Sequence, residues 1–485
     1  MTSPQPAPQV PTTDDGTSLA RVHMVGIGGA GMSAIARILA DRGLPVSGSD
    51  AKGSHVLTGL AQRGVRTAIG HAAGNLDLLP GGPTVLVVST AIRPSNPEIV
   101  EARRRGIPVV QRAVALAALM TGYRSVCVAG THGKTSTTSM LTVALQAAGL
   151  DPSFAIGGEL NESGSGAHHG TGDVFVAEAD ESDGSFLAFA PHGAIITNLE
   201  PDHLDHHGTA AAYTEVFRQF VQRVTPGGFL VLCVDDPGTA ALQAELAGQP
   251  GAPRLITYGF GEGADLRITD HRPAGHGGTA AVQVTGGVDV LLRLNVPGAH
   301  MLSNAVAALA AGMALGVPGG TMAAGLSGYT GVRRRFEYKG RADGVSVYDD
   351  YAHHPTEVAA QLLAARSVLA AADTPGRLVV VFQPHLYSRT VSFAAEFARA
   401  LSAADVVVVL DIYGAREDPV PGVSGELITR QITASGDVQV HYLPSLATVP
   451  SVVGDLTRPG DLVITMGAGD VTMLGPQLLE YLEHR

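Results

Sequence analysis

Gly130-Thr131-His132-Gly133-Lys134-Thr135-Ser136 is the stretch whose residue types and spacing most directly suggest chemistry. An apolar run, Ser125 to Ala129, precedes it, and a helix-like segment, Thr137 to Ala144, follows. A strand, a glycine turn and a helix N-terminus in that order point backbone N–H groups at phosphate oxygens. Lys134 would reach the outer phosphates, and the Thr135 hydroxyl would sit on a magnesium ion. The spacing is shorter than the standard phosphate loop, which wants glycine at position 128, where this chain has Val128. A bare glycine turn is the plain alternative. Against it, the chain has only three lysines, Lys52, Lys134 and Lys339, and one of them falls on this turn.

A second glycine loop, Gly26-Ile27-Gly28-Gly29-Ala30-Gly31, has the G-x-G-x-x-G spacing, with Asp50 about 20 residues on. It reads as a dinucleotide or nucleotide-diphosphate site, and the pattern does not separate NAD from another pyrophosphate ligand. A structural turn for close helix–strand packing is the non-binding reading. Glu178-Ala179-Asp180-Glu181-Ser182-Asp183 follows a strand-like run. On a solvent-facing loop it would be a solvated face, but at the end of a parallel strand it could hold a hard cation, with Glu178 best placed. The segment Thr197 to His207 carries three histidines and three carboxylates. With no cysteine and no H-E-x-x-H helix to support zinc, a magnesium site sharing one histidine is the more economical reading. His300 and Asn304 lie one turn apart, as in an ordinary helix start. Arg333-Arg334-Arg335 could be a solvated run or a guanidinium group closing over phosphates. Asp349 to Glu357 and Gln383 to Thr390 each follow strand-like runs, where polar clusters face the ligand crevice of an open sheet.

Strand-like and helix-like runs alternate through most of the chain, which predicts an α/β protein built on mostly parallel sheets. At 485 residues more than one domain is expected. The reading is a disordered tail over 1–18, a Rossmann-like domain over 19–122, a central mixed-sheet ATP-binding domain over 123–331 and a second Rossmann-like domain over 332–485. Residues 266–296 alternate as antiparallel strands would. The net charge of −12 argues against a nucleic-acid partner, which needs a concentrated basic surface. Cys127 and Cys233 lie in separate apolar runs and read as buried thiols of a reducing compartment. No signal peptide or membrane anchor is apparent, so a soluble cytoplasmic protein, monomeric or weakly dimeric, is expected.

Taken in order, GIGGAGMS (26–33), SGSD (47–50), GTHGKTST (130–137), EADESD (178–183), DHLDHHG (202–208), the RRFE segment, DDYAHHPTE (349–357) and FQPHLYSRT (382–390) resemble the ATP-dependent Mur ligases of bacterial cell-wall synthesis. The resemblance runs from about residue 20 to the C-terminus. It implies a sugar-nucleotide domain, a central ATPase domain and a C-terminal domain that closes over the site. It also implies a reaction in peptidoglycan precursor synthesis. The lactoyl carboxylate of UDP-N-acetylmuramate attacks the γ-phosphate of ATP, and the amine of L-alanine then displaces phosphate from the acyl phosphate. On this resemblance Gly130, Thr131, His132, Gly133, Lys134, Thr135 and Ser136 hold ATP, together with Asn304, Arg335 and Asp350. Thr135, Glu178 and His203 serve Mg2+. Gly26, Gly28, Gly29, Ala30, Gly31, Asp50, His71 and Ser89 take the uridine diphosphate sugar. Tyr351, His353, His385 and Arg389 frame the amino-acid site, and Lys134, Glu178, His203 and Arg389 are the catalytic set.

Two departures bear on the assignment. Relatives that add later residues use a carbamylated lysine, whereas this chain has no lysine between Lys134 and Lys339, as in the alanine-adding members. Leu386 stands where the family pattern leads one to expect arginine, which shifts carboxylate recognition onto Arg389. A sister ligase adding a peptide or another amino acid is the nearest alternative. An NAD-dependent oxidoreductase is more distant, because it leaves the phosphate loop and DDYAHHPTE without a role.

Overall fold

The structure is a computed structural model that describes residues 10–415, 417–433 and 438–485. Its first sheet is parallel and five-stranded. The strands are β1 (Val22–Val25), β2 (Val46–Asp50), β3 (Arg66–Ile69), β4 (Val85–Val88) and β5 (Val109–Gln111), in the order β3-β2-β1-β4-β5. Strands β1 and β4 are buried along their whole length, as expected for parallel strands covered on both faces. The order reverses between β1 and β4, the kind of switch point at whose strand C-termini open α/β sheets commonly bind ligands. The glycine loop and the helix Ala30–Asp41 begin there.

The central sheet carries β6 (Arg124–Ala129), β7 (Ser153–Ala155), β8 (Ala167–His168), β9 (Val174–Glu178), β10 (Gly193–Ile196), β11 (Phe229–Cys233) and β12 (Arg254–Gly259). They run in the order β12-β11-β10-β6-β9-β7-β8. All pair in parallel except the short β7–β8 ladder. Here β6, which leads into the phosphate loop, is flanked by β9 and β10. The acidic cluster and the segment after Ile196 therefore emerge on either side of that loop. Strands β13 (Leu266–Ala274), β14 (Gly277–Val284) and β15 (Val290–Leu294) follow, and β14 and β15 pair antiparallel, as their alternation predicts.

The last sheet has β16 (Glu337–Ala342), β17 (Val345–Asp350), β18 (Leu378–Phe382), β19 (Val406–Val409), β20 (Gln439–Tyr442) and β21 (Leu462–Met466), ordered β16-β17-β21-β18-β19-β20. Only the edge strand β16 is antiparallel. Strands β18 and β21 are fully buried, mostly apolar runs.

Described residues up to Arg267, with 283–288 and 305–326, form one compact unit, and 268–282, 289–304 and 327–485 form a second. The tail expectation over 1–18 is corrected in part. Residues 1–9 lie outside the described set, but Thr12 and Ser18 close a short hairpin by an antiparallel bridge, and Leu19 is fully buried. No helix among the described residues is long and apolar enough to cross a membrane.

In the first unit an aromatic cluster packs beneath the phosphate loop. Phe217 lies 5.6 Å from Phe186 and 5.3 Å from Tyr213, ring centre to ring centre, and all three are buried. Truncation would leave a cavity that rigid neighbours cannot fill. Phe217→Ala is therefore expected to lower unfolding stability by about 3–5 kcal/mol, as read by chemical denaturation. A loss below about 1 kcal/mol would show that the cluster repacks.

Candidate active site

The phosphate loop begins where β6 ends. Gly130 has φ +124°, and a Cβ there would collide with the Thr197 hydroxyl, so only glycine lets the loop pass the segment after β10. Gly133, at φ +81°, turns the chain into the helix Lys134–Ala147. The loop is tied down by its neighbour. His132 N donates to Asn198 Oδ1 at 2.8 Å, and the His132 carbonyl accepts from Thr197 Oγ1 at 2.6 Å and from Asn198 Nδ2 at 3.1 Å. Thr131 Oγ1 donates to the Glu200 carbonyl and accepts from Glu200 N, at 2.8 and 3.0 Å. Ser136 is buried in the first helical turn. The N–H groups of Thr131 and His132 are thus committed to Asn198, and the helix that starts at Lys134 places its N-terminus, the end that favours anions, directly after the loop.

The Lys134 ammonium donates to the carbonyls of Gly130 and Thr131 at 2.7 and 3.1 Å. It also pairs with both Glu181 oxygens, at 2.8 and 3.0 Å. Glu181 is fully buried. The acidic cluster is therefore not a solvated face, because its central carboxylate is the counter-ion of the phosphate-loop lysine. Burial pushes the Glu181 carboxyl above the usual carboxylate range, against the pull of Lys134. Burial also opposes the charge on Lys134, but Glu181, Asp180 and Glu178 outweigh it and keep the ammonium protonated.

Beside this pair, Thr135 Oγ1 donates to Glu178 Oε1 at 3.0 Å, and Gly157 N donates to Glu178 Oε2 at 2.7 Å. A hydroxyl and a carboxylate meeting at a helix N-terminus are hard oxygen donors of the kind magnesium takes. His203, in a left-handed backbone conformation at φ +52°, lies with its Nε2 3.9 Å from Glu181 and 3.6 Å from Asp202. Glu181 thus links the predicted lysine to the predicted histidine. The sequence motif contains Glu181, but nothing in it singles that residue out from its acidic neighbours.

At the first glycine loop, Gly26 N and Ile27 N donate to the Ser49 carbonyl at 2.8 and 3.0 Å, and Gly28 N donates to Asp50 Oδ2 at 2.9 Å. Gly29 precedes the helix that starts at Ala30. A Cβ on Gly28 would lie 2.8 Å from Asp50 Oδ2, and one on Gly31 would lie 2.7 Å from Arg112 Nη1. Arg112 therefore reaches the start of the helix, a role that no local pattern announces. His71 Nδ1 is 2.8 Å from Ser49 Oγ, and Ser89 follows directly on the end of β4. Asp50, His71 and the glycines thus gather at the C-terminal edge of one sheet.

The remaining predicted residues belong to the second unit. Asn304 is buried near the Met301 sulfur. Asp350 accepts from Phe336 N and Ala352 N, both at 2.7 Å, and so fixes the backbone on either side of Arg335 and Tyr351. Burial pushes its carboxyl up to about 6, although Arg335 pulls the other way. The Arg335 guanidinium carbon lies 5.3 Å from the centre of the Tyr351 ring, and that of Arg334 lies 4.7 Å away. His353 Nδ1 is 3.1 Å from the Tyr351 carbonyl, which makes Nδ1 the protonated nitrogen, and the ring packs edge-on to His385. Arg389, nearly buried, sits 3.3 Å from His385 Nδ1. Tyr351, His353, His385 and Arg389 are therefore one contiguous cluster. Leu386 is buried, with φ +70°, at the start of the helix Tyr387–Leu401.

Burial holds the His353 imidazole at about 3 and that of His300 at about 4, the latter partly offset by its bond to Gln361. A histidine depressed in the folded state contributes stability that is complete above its unfolded value of about 6.5. That stability is lost as pH falls toward the folded value. Asp350 acts in the opposite sense, losing stability as pH rises toward 6. The expected outcome is that the melting temperature of His300→Gln, measured from pH 7 to pH 4, falls less steeply than that of the parent. Parallel curves would show that His300 protonates freely in the folded protein.

Comparison with known proteins accords with this geometry. Three family models match in succession: "Mur ligase family, catalytic domain" over residues 21–124, "Mur ligase middle domain" over 128–312 and "Mur ligase, glutamate ligase domain" over 334–469. The chain is 61% identical to the UDP-N-acetylmuramate–L-alanine ligase of Saccharopolyspora erythraea, over 98% of this chain and 96% of that one. It is 56% identical to the enzyme of the same name from Mycolicibacterium smegmatis, over 96% and 95%. Among solved structures, the UDP-N-acetylmuramate–alanine ligase of Thermotoga maritima superposes with a TM-score of 0.79 at 28% identity, covering 95% of this chain and 98% of that one. A murein peptide ligase from Psychrobacter arcticus gives 0.70 at 26%, covering 96% and 99%. By sequence models that together cover most of its length, and by relatives that match it almost end to end, the chain belongs to the Mur ligase family.

Proposed function

We propose that this protein is an ATP-dependent amide-forming ligase that joins L-alanine to the lactoyl carboxylate of UDP-N-acetylmuramate, releasing ADP and phosphate, in peptidoglycan precursor synthesis. The observation that carries the reading is the phosphate loop, whose sole lysine stands at a helix N-terminus, held by two loop carbonyls and Glu181. The substrates come from the relatives, which carry that enzyme name at more than half identity over nearly the whole chain.

A carboxylate is a poor acyl donor because its leaving group would be oxide. Transfer of the γ-phosphoryl group of ATP to it gives an acyl phosphate, from which the alanine amine expels phosphate. The chain's part is positioning and charge neutralisation. Gly130 to Ser136 would bind the phosphates through backbone N–H groups, while Lys134 exchanges carbonyl and Glu181 contacts for phosphate oxygens. Asn304, Arg335 and Asp350 would bind ATP, and Tyr351, His353, His385 and Arg389 would receive the amino acid. Arg389 would provide the guanidinium group for its carboxylate. The glycine loop from Gly26 to Gly31, with Asp50, His71 and Ser89, would take the uridine diphosphate. The adjoining oxygens of Thr135 and Glu178 fit Mg2+, with His203 as a further ligand, and the ion would neutralise charge on the transferring phosphoryl group. Domains over 19–122, 123–331 and 332–485, a cytoplasmic location, a monomeric or weakly dimeric state and no nucleic-acid partner complete the proposal.

The test is ATP-dependent phosphate release with UDP-N-acetylmuramate against a panel of amino acids and peptides. L-alanine should give the highest kcat/KM, and Lys134→Ala, folded by circular dichroism, should lose on the order of 10² to 10³ in rate or more. Preference for a peptide would reassign the substrate, and near-normal turnover of the variant would overturn the phosphate-loop assignment.

A further inference from the structure

One buried carboxylate outside the predicted site is connected directly to it. Glu98 lies in the first turn of the helix Pro97–Arg104, capped by Asn96, and is fully inaccessible to solvent. Its acceptor sites are filled. Oε1 accepts from Asn75 Nδ2 at 2.7 Å and from Ala72 N at 3.1 Å. Oε2 accepts from Ser49 Oγ at 2.7 Å and lies 3.1 Å from His23 Nε2. These bonds, led by the one from His23, outweigh the burial that would raise its pKa and keep the group ionised. An ionised carboxylate only accepts, so the Ser49 hydroxyl proton points at Glu98. The Ser49 oxygen must then accept at its 2.8 Å contact with His71, which places a proton on His71 Nδ1. In the neutral ring, Nε2 is left as an acceptor. Glu98 also holds the backbone immediately after His71 through Ala72 N. Side chain and main chain of His71 are thus both set from one buried point.

We propose that Glu98 is a positioning residue for the sugar-nucleotide site. Acting through Ser49 and Ala72, it holds His71 in one orientation and one tautomer, so that Nε2 accepts a hydrogen bond from a hydroxyl or imide N–H of the uridine nucleotide. The inference rests on the reading that His71 lines that site. A purely structural Glu98, tying the helix Pro97–Arg104 to β1 and β2, would change stability without selectively changing nucleotide affinity.

The experiment is calorimetric titration of UDP-N-acetylmuramate, with an ATP analogue as control, into the full chain and four variants: His71→Ala, Glu98→Gln, Ser49→Ala and Glu98→Gln/His71→Ala. Ser49→Ala cuts the link to His71 while leaving Glu98 its other partners, and so covers the case in which Glu98→Gln folds poorly. His71→Ala, Glu98→Gln and Ser49→Ala are each expected to weaken the sugar nucleotide by roughly tenfold or more, with affinity for the ATP analogue unchanged. The double variant should bind like His71→Ala alone, because a residue acting through another adds nothing once that other is gone. In turnover, Glu98→Gln should raise KM for UDP-N-acetylmuramate and leave kcat close to the parent. If His71→Ala binds the sugar nucleotide normally, the placement of His71 in the site is wrong and the proposal falls with it. If His71→Ala weakens binding but Ser49→Ala and Glu98→Gln do not, or if the two losses multiply in the double variant, the site stands and the positioning role of Glu98 is overturned.

Discussion

A buried carboxylate must have its charge compensated, and the phosphate loop meets that requirement for Glu181 with the partly buried Lys134. Its three donors go to two carbonyls of its own loop and to the inaccessible carboxylate of Glu181. Removing one member of such a pair strands the other charge and costs about 3–5 kcal/mol, so β9, which delivers Glu181, and β6, which delivers Lys134, are locked in register. The loop that presents Lys134 is in turn fixed by Gly130, which passes too close to Thr197 for a side chain, and by the Asn198 and Glu200 contacts that close it. On the proposed function, Lys134 would exchange its carbonyl and Glu181 contacts for phosphate oxygens.

The first glycine loop is held in a similar way. Its turn is held by the Ser49 carbonyl and the Asp50 carboxylate, both at the end of β2. Asp50 is therefore part of the loop's own scaffold. In a nicotinamide enzyme, the corresponding acidic residue is expected on the ribose hydroxyls. Here one of its oxygens is already committed to Gly28, and the family membership gives the oxidoreductase reading no support.

In the second unit, burial keeps imidazoles neutral beside guanidinium groups. Burial lowers the pKa of His353 and favours its neutral form, with Nδ1 facing the Tyr351 carbonyl. Arg389 lies against His385 in the same cluster. Leu386 turns into the interior, so an apolar side chain at that position is accommodated by packing.

What could be read from the sequence was local. Strand, glycine turn and helix recur within about 15 residues at both glycine loops, and backbone sterics dictate that geometry wherever the fold places it. Short, mostly apolar runs such as β18 and β21 announced parallel strands in the same way. The ordered hairpin at Thr12–Ser18 was not legible, because a polar Pro- and Thr-rich segment carries no periodic signal. Nor were the partners that tune the sites. Lys134 meets Glu181 across 47 residues, Ser49 meets Glu98 across 49, and Gly31 lies against Arg112. Sequence spacing reports which residues share a turn or a strand. Which of several carboxylates becomes the buried counter-ion depends on strand order: β9 and β10 both flank β6, and it is the segment after β9 that brings Glu181 to Lys134 at bonding distance. That choice belongs to the tertiary structure, because burial, and the low dielectric that makes pairing obligatory, arise only when distant segments pack.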